Sequence, residues 1–218
     1  MTLLGIDTST EFISLALTRN GRLLAGLDRR SPYGASRLLV PLIKRVCAQA
    51  GILPKKLDAL VVGAGPGSFT GLRISFAAVK ALGLVLGKPV ASVGSFFAIA
   101  WPFRRGHKKI AVVGDARRGL VYGAVFKGGE TLKPVGKVAL YELGAFLTAH
   151  RDCYFIFCGQ DIKAAALKCQ AGIAYYSGAV RVRADRLLEY AEAAGLPYTA
   201  IEDLEPLYIH PKTCQIRK

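Results

Sequence analysis

Three short runs of mostly apolar residues open the chain, Thr2 to Thr8, Phe12 to Arg19 and Arg22 to Asp28, and Asn20-Gly21 joins the last two as a tight hairpin signal. The pattern predicts a three-strand meander. The period then lengthens: Leu38, Leu39, Leu42, Ile43, Val46, Cys47 and Ala50 recur at three and four residues until Gly51 stops them. This predicts a helix over 36–50 with Ser36 as its cap. Pro41 falls inside it and predicts an irregular first turn or a later start. Leu57 to Gly63 reads as a buried strand, followed by a Gly-rich turn and a second helix from about Thr70 to Leu86. Gly87-Lys88-Pro89 ends that helix, Val90 to Val93 reads as a strand, and Ser95 is placed to cap a third helix through Ala100.

Trp101-Pro102-Phe103-Arg104-Arg105-Gly106 reads as a boundary, and from Lys109 the order begins again. A strand runs to Asp115, a turn follows at Ala116-Arg117-Arg118-Gly119, a second strand spans Leu120 to Phe126, and a third extended piece reaches Val138. Two halves that each start as a meander with an Asp closing strand one predict a duplication, with lobes over 1–105 and 106–218. Helices around Leu140 to His150 and Asp185 to Ala194, a strand Tyr154 to Cys158 between them and a terminal extended segment Pro206 to Ile209 complete the pattern.

Composition narrows the class. With 218 residues, 52% hydrophobic and 21% charged, the chain is neither disordered nor low-complexity. Its apolar stretches are interrupted, Ala59 to Gly67 by Gly and Pro, Ile74 to Leu86 by Lys80 and Gly83, so no transmembrane helix is expected. The start lacks a basic region and carries Asp7 and Glu11 where a signal peptide would be apolar, which predicts a cytoplasmic chain. Five cysteines, Cys47, Cys153, Cys158, Cys169 and Cys214, form no C-x-x-C pair and read as buried reduced thiols.

The 30 Lys and Arg against 15 Asp and Glu leave a net +15. Residues 1 to 109 hold 16 of the basic residues against 4 acids, a net +12. Such a balance fits a polyanionic partner, because Lys and Arg release condensed counterions when they neutralise phosphates; it also serves solubility alone. Arg29, Arg30, Lys55 and Lys56 are candidate contacts for such a partner.

The most informative stretch runs from Gly63 to Arg73, Gly-Ala-Gly-Pro-Gly-Ser-Phe-Thr-Gly-Leu-Arg, between a strand and a helix. Gly65, Gly67 and Ser68 could face a phosphate there, since glycines free backbone N–H groups to point at an anion near a helix N-terminus. The string nevertheless lacks the Gly-Lys-Ser/Thr of a P-loop and the glycine spacing of a dinucleotide fold, so a tight structural turn is the stronger reading. Asp7 has the same two readings: a holder of hydrated Mg near phosphates, or an Asp bonding its own turn. His107, His150 and His210 are isolated, and no metal pair, nucleophile motif or acid–base pair is marked by spacing.

That string, with Leu4-Gly5-Ile6-Asp7-Thr8-Ser9-Thr10 before it and Asp115-Ala116-Arg117-Arg118-Gly119 and Glu205-Pro206-Leu207-Tyr208 after it, closely resembles the TsaB (YeaZ) family along the whole chain. The resemblance implies the α/β, two-lobed actin, sugar kinase and Hsp70 (ASKHA) fold, a duplicated ribonuclease H-like architecture. It implies a non-catalytic scaffold subunit, a pseudo-enzyme, required with a TsaD-type catalytic subunit for threonylcarbamoyl transfer to the adenosine beside the anticodon in tRNA. A TsaC-type enzyme would supply the threonylcarbamoyl-adenylate and a TsaE-type ATPase would join the complex. No cofactor is expected on the isolated chain; ATP and metal belong to the partner subunits. Whether the chain forms a homodimer when alone is left open.

In the family the two long helices of the first lobe pair with their counterparts in the partner, which makes Leu39, Ile43, Val46, Phe76 and Lys80 the expected contacts. Two positions depart from the family: relatives often have His where Ala35 stands and Glu where Leu120 stands. The rival reading is an ATP-dependent kinase or ATPase of the same fold, using Asp7 and the Gly65 to Ser68 turn on phosphates. A peptidase is disfavoured by the missing His-x-x-x-His pair.

Overall fold

A computed structural model describes residues 1–195 and 198–209; His210 and Cys214 lie outside the described residues. The expected meander forms with strands β1 (Thr2–Asp7), β2 (Phe12–Arg19) and β3 (Arg22–Arg30), all antiparallel. Asn20 and Gly21 both take positive φ, 50° and 75°, as the two-residue hairpin turn requires. Helix α1 (Ala35–Gln49) then carries the chain across to β4 (Ala59–Gly63), which joins β1 in parallel, and α2 (Phe69–Leu86) carries it to β5 (Val90–Val93), parallel to β4. The sheet order is β3-β2-β1-β4-β5.

The same plan recurs after α3 (Ser95–Ala100). Strands β6 (Lys109–Asp115), β7 (Leu120–Lys127) and β8 (Lys133–Glu142) form a second antiparallel meander. Helix α4 (Leu143–Ala149) crosses to β9 (Tyr154–Cys158), which pairs in parallel with β6. This sheet has the order β8-β7-β6-β9. Helix α5 (Gln160–Cys169) follows, and α6 (Ala184–Ala194) is the last helix described.

Several expectations are corrected. Helix α1 begins at Ala35 and runs through Pro41, with Gly34 rather than Ser36 at its N-cap. Pro41 is exposed, so the carbonyl left without its intrahelical donor faces water. Helix α5 has no counterpart in the apolar pattern, and Pro206–Ile209 forms no strand; there Leu207 donates its N–H to the Ala64 carbonyl at 2.9 Å. The division of the chain also differs from lobes at 1–105 and 106–218. Met1–Ala98 and Val182–Leu207 form one compact unit, Ile99–Arg181 another. The tail segment returns because the first sheet has two apolar faces to cover. Leu4, Ile6, Leu60 and Val62 pack with α1 and α2 residues. On the opposite face α6 lies so close that a Cβ on Gly5 would sit 2.9 Å from both the Ala184 carbonyl oxygen and the Leu188 side chain. Ser14 ties α6 down by accepting the Ala184 N–H at 2.8 Å while donating to Asp28 at 2.6 Å.

Helix α2 is long and apolar enough, by length and composition alone, to cross a membrane, contrary to the expectation from its interruptions at Lys80 and Gly83. One side of it, Leu72, Ser75, Phe76, Val79 and Gly83, is committed to the interior of its own unit.

Candidate functional site: a glycine turn closed on its own chain, and the outer side of helix α2

The Gly-rich turn and the end of β1 meet inside the first unit. Asp7 is 1% exposed. Its Oδ1 accepts from the Ser9 N–H at 2.8 Å and the Ser9 hydroxyl at 2.7 Å, and its Oδ2 accepts from the Ser95 hydroxyl at 2.8 Å. Burial raises the Asp7 carboxyl above its ordinary value, and the Ser9 and Ser95 hydrogen bonds act in the opposite direction. Of its two readings, the Asp that bonds its own turn describes this geometry. The second unit repeats the device in an exposed form: Asp115 Oδ1 accepts the Arg117 N–H at 2.7 Å.

Ser95, placed by sequence to cap α3, serves the turn instead. Its Oγ accepts the Gly65 N–H at 3.1 Å and donates to Asp7, holding the turn against the strand end.

The close approach that glycine allows at this turn is to protein backbone. A Cβ on Gly67 would lie 2.1 Å from the Ser9 carbonyl oxygen, one on Gly71 1.9 Å from the Thr8 carbonyl oxygen, and one on Gly63 1.8 Å from Asp7 Oδ2. Ser68 donates its N–H to the Ser9 carbonyl at 2.7 Å, and Thr8 donates its hydroxyl to the Gly71 carbonyl at 2.6 Å. At the start of α2, Ser68 Oγ accepts the Gly71 N–H at 3.2 Å. Asp7, Gly65, Gly67 and Ser68 are therefore brought together as the sequence suggests, in an arrangement that bonds the turn to the 7–9 loop. Among the described residues no three His, Cys, Asp or Glu side chains gather.

The expected partner contacts are corrected by burial. Leu39, Ile43, Val46 and Phe76 are between 0 and 4% exposed and belong to the core cluster of their own unit; only Lys80 is partly exposed. The apolar stripe of α1 and half the circumference of α2 are consumed by the sheet. What remains outside on α2 is an arc of Thr70, Arg73, Ala77, Ala81, Leu84 and Val85. Leu84 is 69% and Val85 83% exposed. Helix α1 contributes exposed Val40 with Arg37, Lys44 and Arg45. Sequence reasoning misses Leu84 and Val85 although it registers α2 as apolar nearly all round, because periodicity does not say which side meets the sheet. Of the two departures from the family, Ala35 is the first residue of α1, and Leu120 lies opposite Glu142 across β7 and β8.

Comparison with known proteins follows the same outline. The family described as TsaD: tRNA N6-adenosine threonylcarbamoyltransferase matches residues 34–196. A tRNA threonylcarbamoyladenosine biosynthesis protein TsaB from Bacillus subtilis is 32% identical over 165 residues, 74% of this chain and 72% of that protein. The protein of that name from Escherichia coli is 32% identical over 133 residues, 60% of this chain and 57% of the relative. A solved structure of YeaZ from Pseudomonas aeruginosa superposes with a TM-score of 0.83 at 27% identity, covering 95% of this chain and 99% of that one. The fold is the two-lobed α/β architecture of actin, sugar kinases and Hsp70. Sheet plan, glycine string and relatives agree, and the chain belongs to the TsaB (YeaZ) family.

Proposed function

We propose that this chain is a non-catalytic subunit in the synthesis of threonylcarbamoyladenosine in tRNA, acting by binding and supporting a TsaD-type catalytic subunit. The observation that carries the reading is the outer arc of α2. A helix apolar on most of its circumference buries one side in its own unit and leaves Ala77, Ala81, Leu84 and Val85 outside. Small residues at 77 and 81 let a second helix approach closely, and Leu84 and Val85 supply apolar area that loses its water on contact. Helix pairing of this kind suits a TsaD-type chain of related fold, and a second copy of this chain in its absence. A TsaE-type ATPase and tRNA complete the assembly, and the work is done in the cytoplasm.

The pseudo-enzyme reading is supported by the glycine turn, whose close backbone approach is to Thr8 and Ser9, where a kinase or ATPase would seat a phosphate. The test is reconstitution. Co-expressed with a TsaD-type subunit, this chain should co-elute with it in stoichiometric amount and raise its threonylcarbamoyl transfer. Leu84→Glu should fold and fail to co-elute. Tight ATP binding or turnover by the isolated chain would favour the kinase reading instead.

A further inference from the structure

The two long helices of the first unit carry cations and no acid. Helices α1 and α2 pack side by side on one face of the first sheet. Arg37, Lys44 and Arg45 stand on α1, Arg73 and Lys80 on α2, and neither helix contains an Asp or Glu. Lys80 is partly exposed and the other four are exposed. Arg37 and Lys44 are seven residues apart, as are Arg73 and Lys80, so each pair shares one side of its helix about 10 Å apart along the axis. Ala77 and Leu84 lie on the same side of α2 as its cations, with Ala81 and Val85 beside them. Arg37, Lys44, Arg45 and Lys80 make no ion pair among the described residues. The acids that flank α1 in sequence are engaged elsewhere: Asp28 with Ser14, which also binds α6 on the opposite face of the sheet, and Asp58 with the Thr2 N–H.

Helical physics does not call for this arrangement. The N-terminal end of a helix favours acids in its first turn, and an acid one turn from a Lys or Arg steadies an exposed face. Helix α6 follows that rule, with Asp185 in its first turn and Arg186 bonded to Glu189. Helices α1 and α2 do neither, so what answers their charge lies outside the chain. Solubility is served as well by mixed signs.

A second copy of this chain is a poor answer. Two-fold pairing sets the same patch against itself, so five cations would face five cations with no carboxylate from either helix between them. An RNA strand would answer the charge and leave Val40, Leu84 and Val85 in water. An anionic bilayer would use charge and apolar area, and has no use for small residues at 77 and 81, which let another helix come close. Helices of a different chain that bear carboxylates among apolar residues use all three features.

We propose that the α1–α2 layer selects a different chain with acidic helices, whose carboxylates meet Arg37, Lys44, Arg45, Arg73 and Lys80 around the Leu84–Val85 contact, and that the same cations keep two copies of this chain apart there. The proposal rests on the α2 arc being the contact with a TsaD-type subunit, and it states the charge which that subunit's face must bear. A second copy is the weaker occupant, paired only where salt screens the layer.

The test measures binding of the full chain to its cognate TsaD-type subunit from about 0.1 M to about 1 M salt, over which the screening length falls from about 10 Å to about 3 Å. The association rate should fall at least about tenfold across that range. The Arg37→Glu, Lys44→Glu, Arg45→Glu triple variant should melt no lower than the parent, because an acid at 37 suits the first turn of α1. It should bind the subunit at least about tenfold more weakly at low salt. Mixed with the parent, it should sediment as a one-to-one pair, since it supplies the carboxylates that the parent layer lacks. Absence of that pair overturns the proposal, as does a parent dimer at low salt that Leu84→Lys dissolves. Subunit binding that ignores salt and charge reversal while Leu84→Glu weakens it overturns this proposal alone; indifference to Leu84→Glu as well overturns the subunit reading with it. Phosphatidylglycerol vesicles and labelled tRNA are the remaining probes. Binding of either that the triple variant loses, with its subunit affinity unchanged, assigns the layer to a membrane or to RNA and overturns the proposal.

Discussion

The Ser95 hydroxyl donates to Asp7 Oδ2 at 2.8 Å across 88 positions of sequence, and its oxygen accepts the Gly65 N–H, so one small side chain binds the end of β1 to the glycine turn. In a kinase-like fold the end of the first strand and such a turn are where a nucleotide's phosphates and metal would be expected. Here the polar atoms that would serve them are engaged with one another.

This arrangement makes Asp7 a pH-linked group. Its carboxyl holds a proton more tightly in the folded chain than the ordinary value of 3.8, because burial outweighs the opposing hydrogen bonds. A raised folded pKa contributes stability that is full below the unfolded value and is lost as pH rises through the folded value. Asp7→Asn keeps the shape and removes the charge. Its unfolding free energy, measured in urea from pH 3 upward, should lack that decline and at neutral pH should equal or exceed the parent's. Parallel pH curves for parent and variant would refute this. A variant still able to support the TsaD-type subunit is expected, since Asp7 is given no chemical step.

Glycine substitutions should separate close approach from ordinary space. Gly63→Ala would place a methyl 1.8 Å from Asp7 Oδ2, and Gly71→Ala one 1.9 Å from the Thr8 carbonyl oxygen. Each should lower stability by about 3 kcal/mol or prevent folding. Gly144, in α4, has only Glu142 Oε1 within reach, at 3.8 Å. Gly144→Ala should therefore stabilise, by about 0.5 to 1 kcal/mol. Calorimetric melting of the three variants decides the point, and equal effects at Gly63 and Gly144 would contradict the packing described.

Charges on the two sides of the helical layer should have opposite consequences. Ile43, 4% exposed, lies in the core cluster, so Ile43→Glu should cost on the order of 4 kcal/mol and unfold much of the chain. Leu84→Glu and Val85→Glu lie outside and should melt within about 0.5 kcal/mol of the parent. They should nevertheless weaken binding to a TsaD-type subunit at least tenfold, read by titration calorimetry. Normal binding by both would remove the α2 arc from the interface.

Thr18 offers a stabilising change. Its hydroxyl, in β2, is buried with no hydrogen-bond partner among the described residues. Thr18→Val keeps the β-branched shape and removes an uncompensated desolvation, so stability should rise by about 1 kcal/mol. Chemical denaturation of the two chains is sufficient to see it.

Local pattern determined a good part of this protein. The bounds of β2, β5, β6 and β9 match the apolar runs, because period and turn chemistry act over a few residues, and Asn20-Gly21 set the hairpin by its backbone preference alone. The repeated meander was legible for the same reason, and so was the family, through the glycine string. Helix α5 was not: of its ten residues only Ala166 is buried, so it carries no apolar stripe to read. The pairing of Ser95 with Asp7, the return of α6 to the first sheet, and the choice of which side of α1 and α2 turns inward lay beyond any local signal. Those were decided only in the tertiary structure, where burying both faces of the β1–β5 sheet forces Leu39, Ile43, Val46 and Phe76 inward and leaves Leu84 and Val85 facing outward.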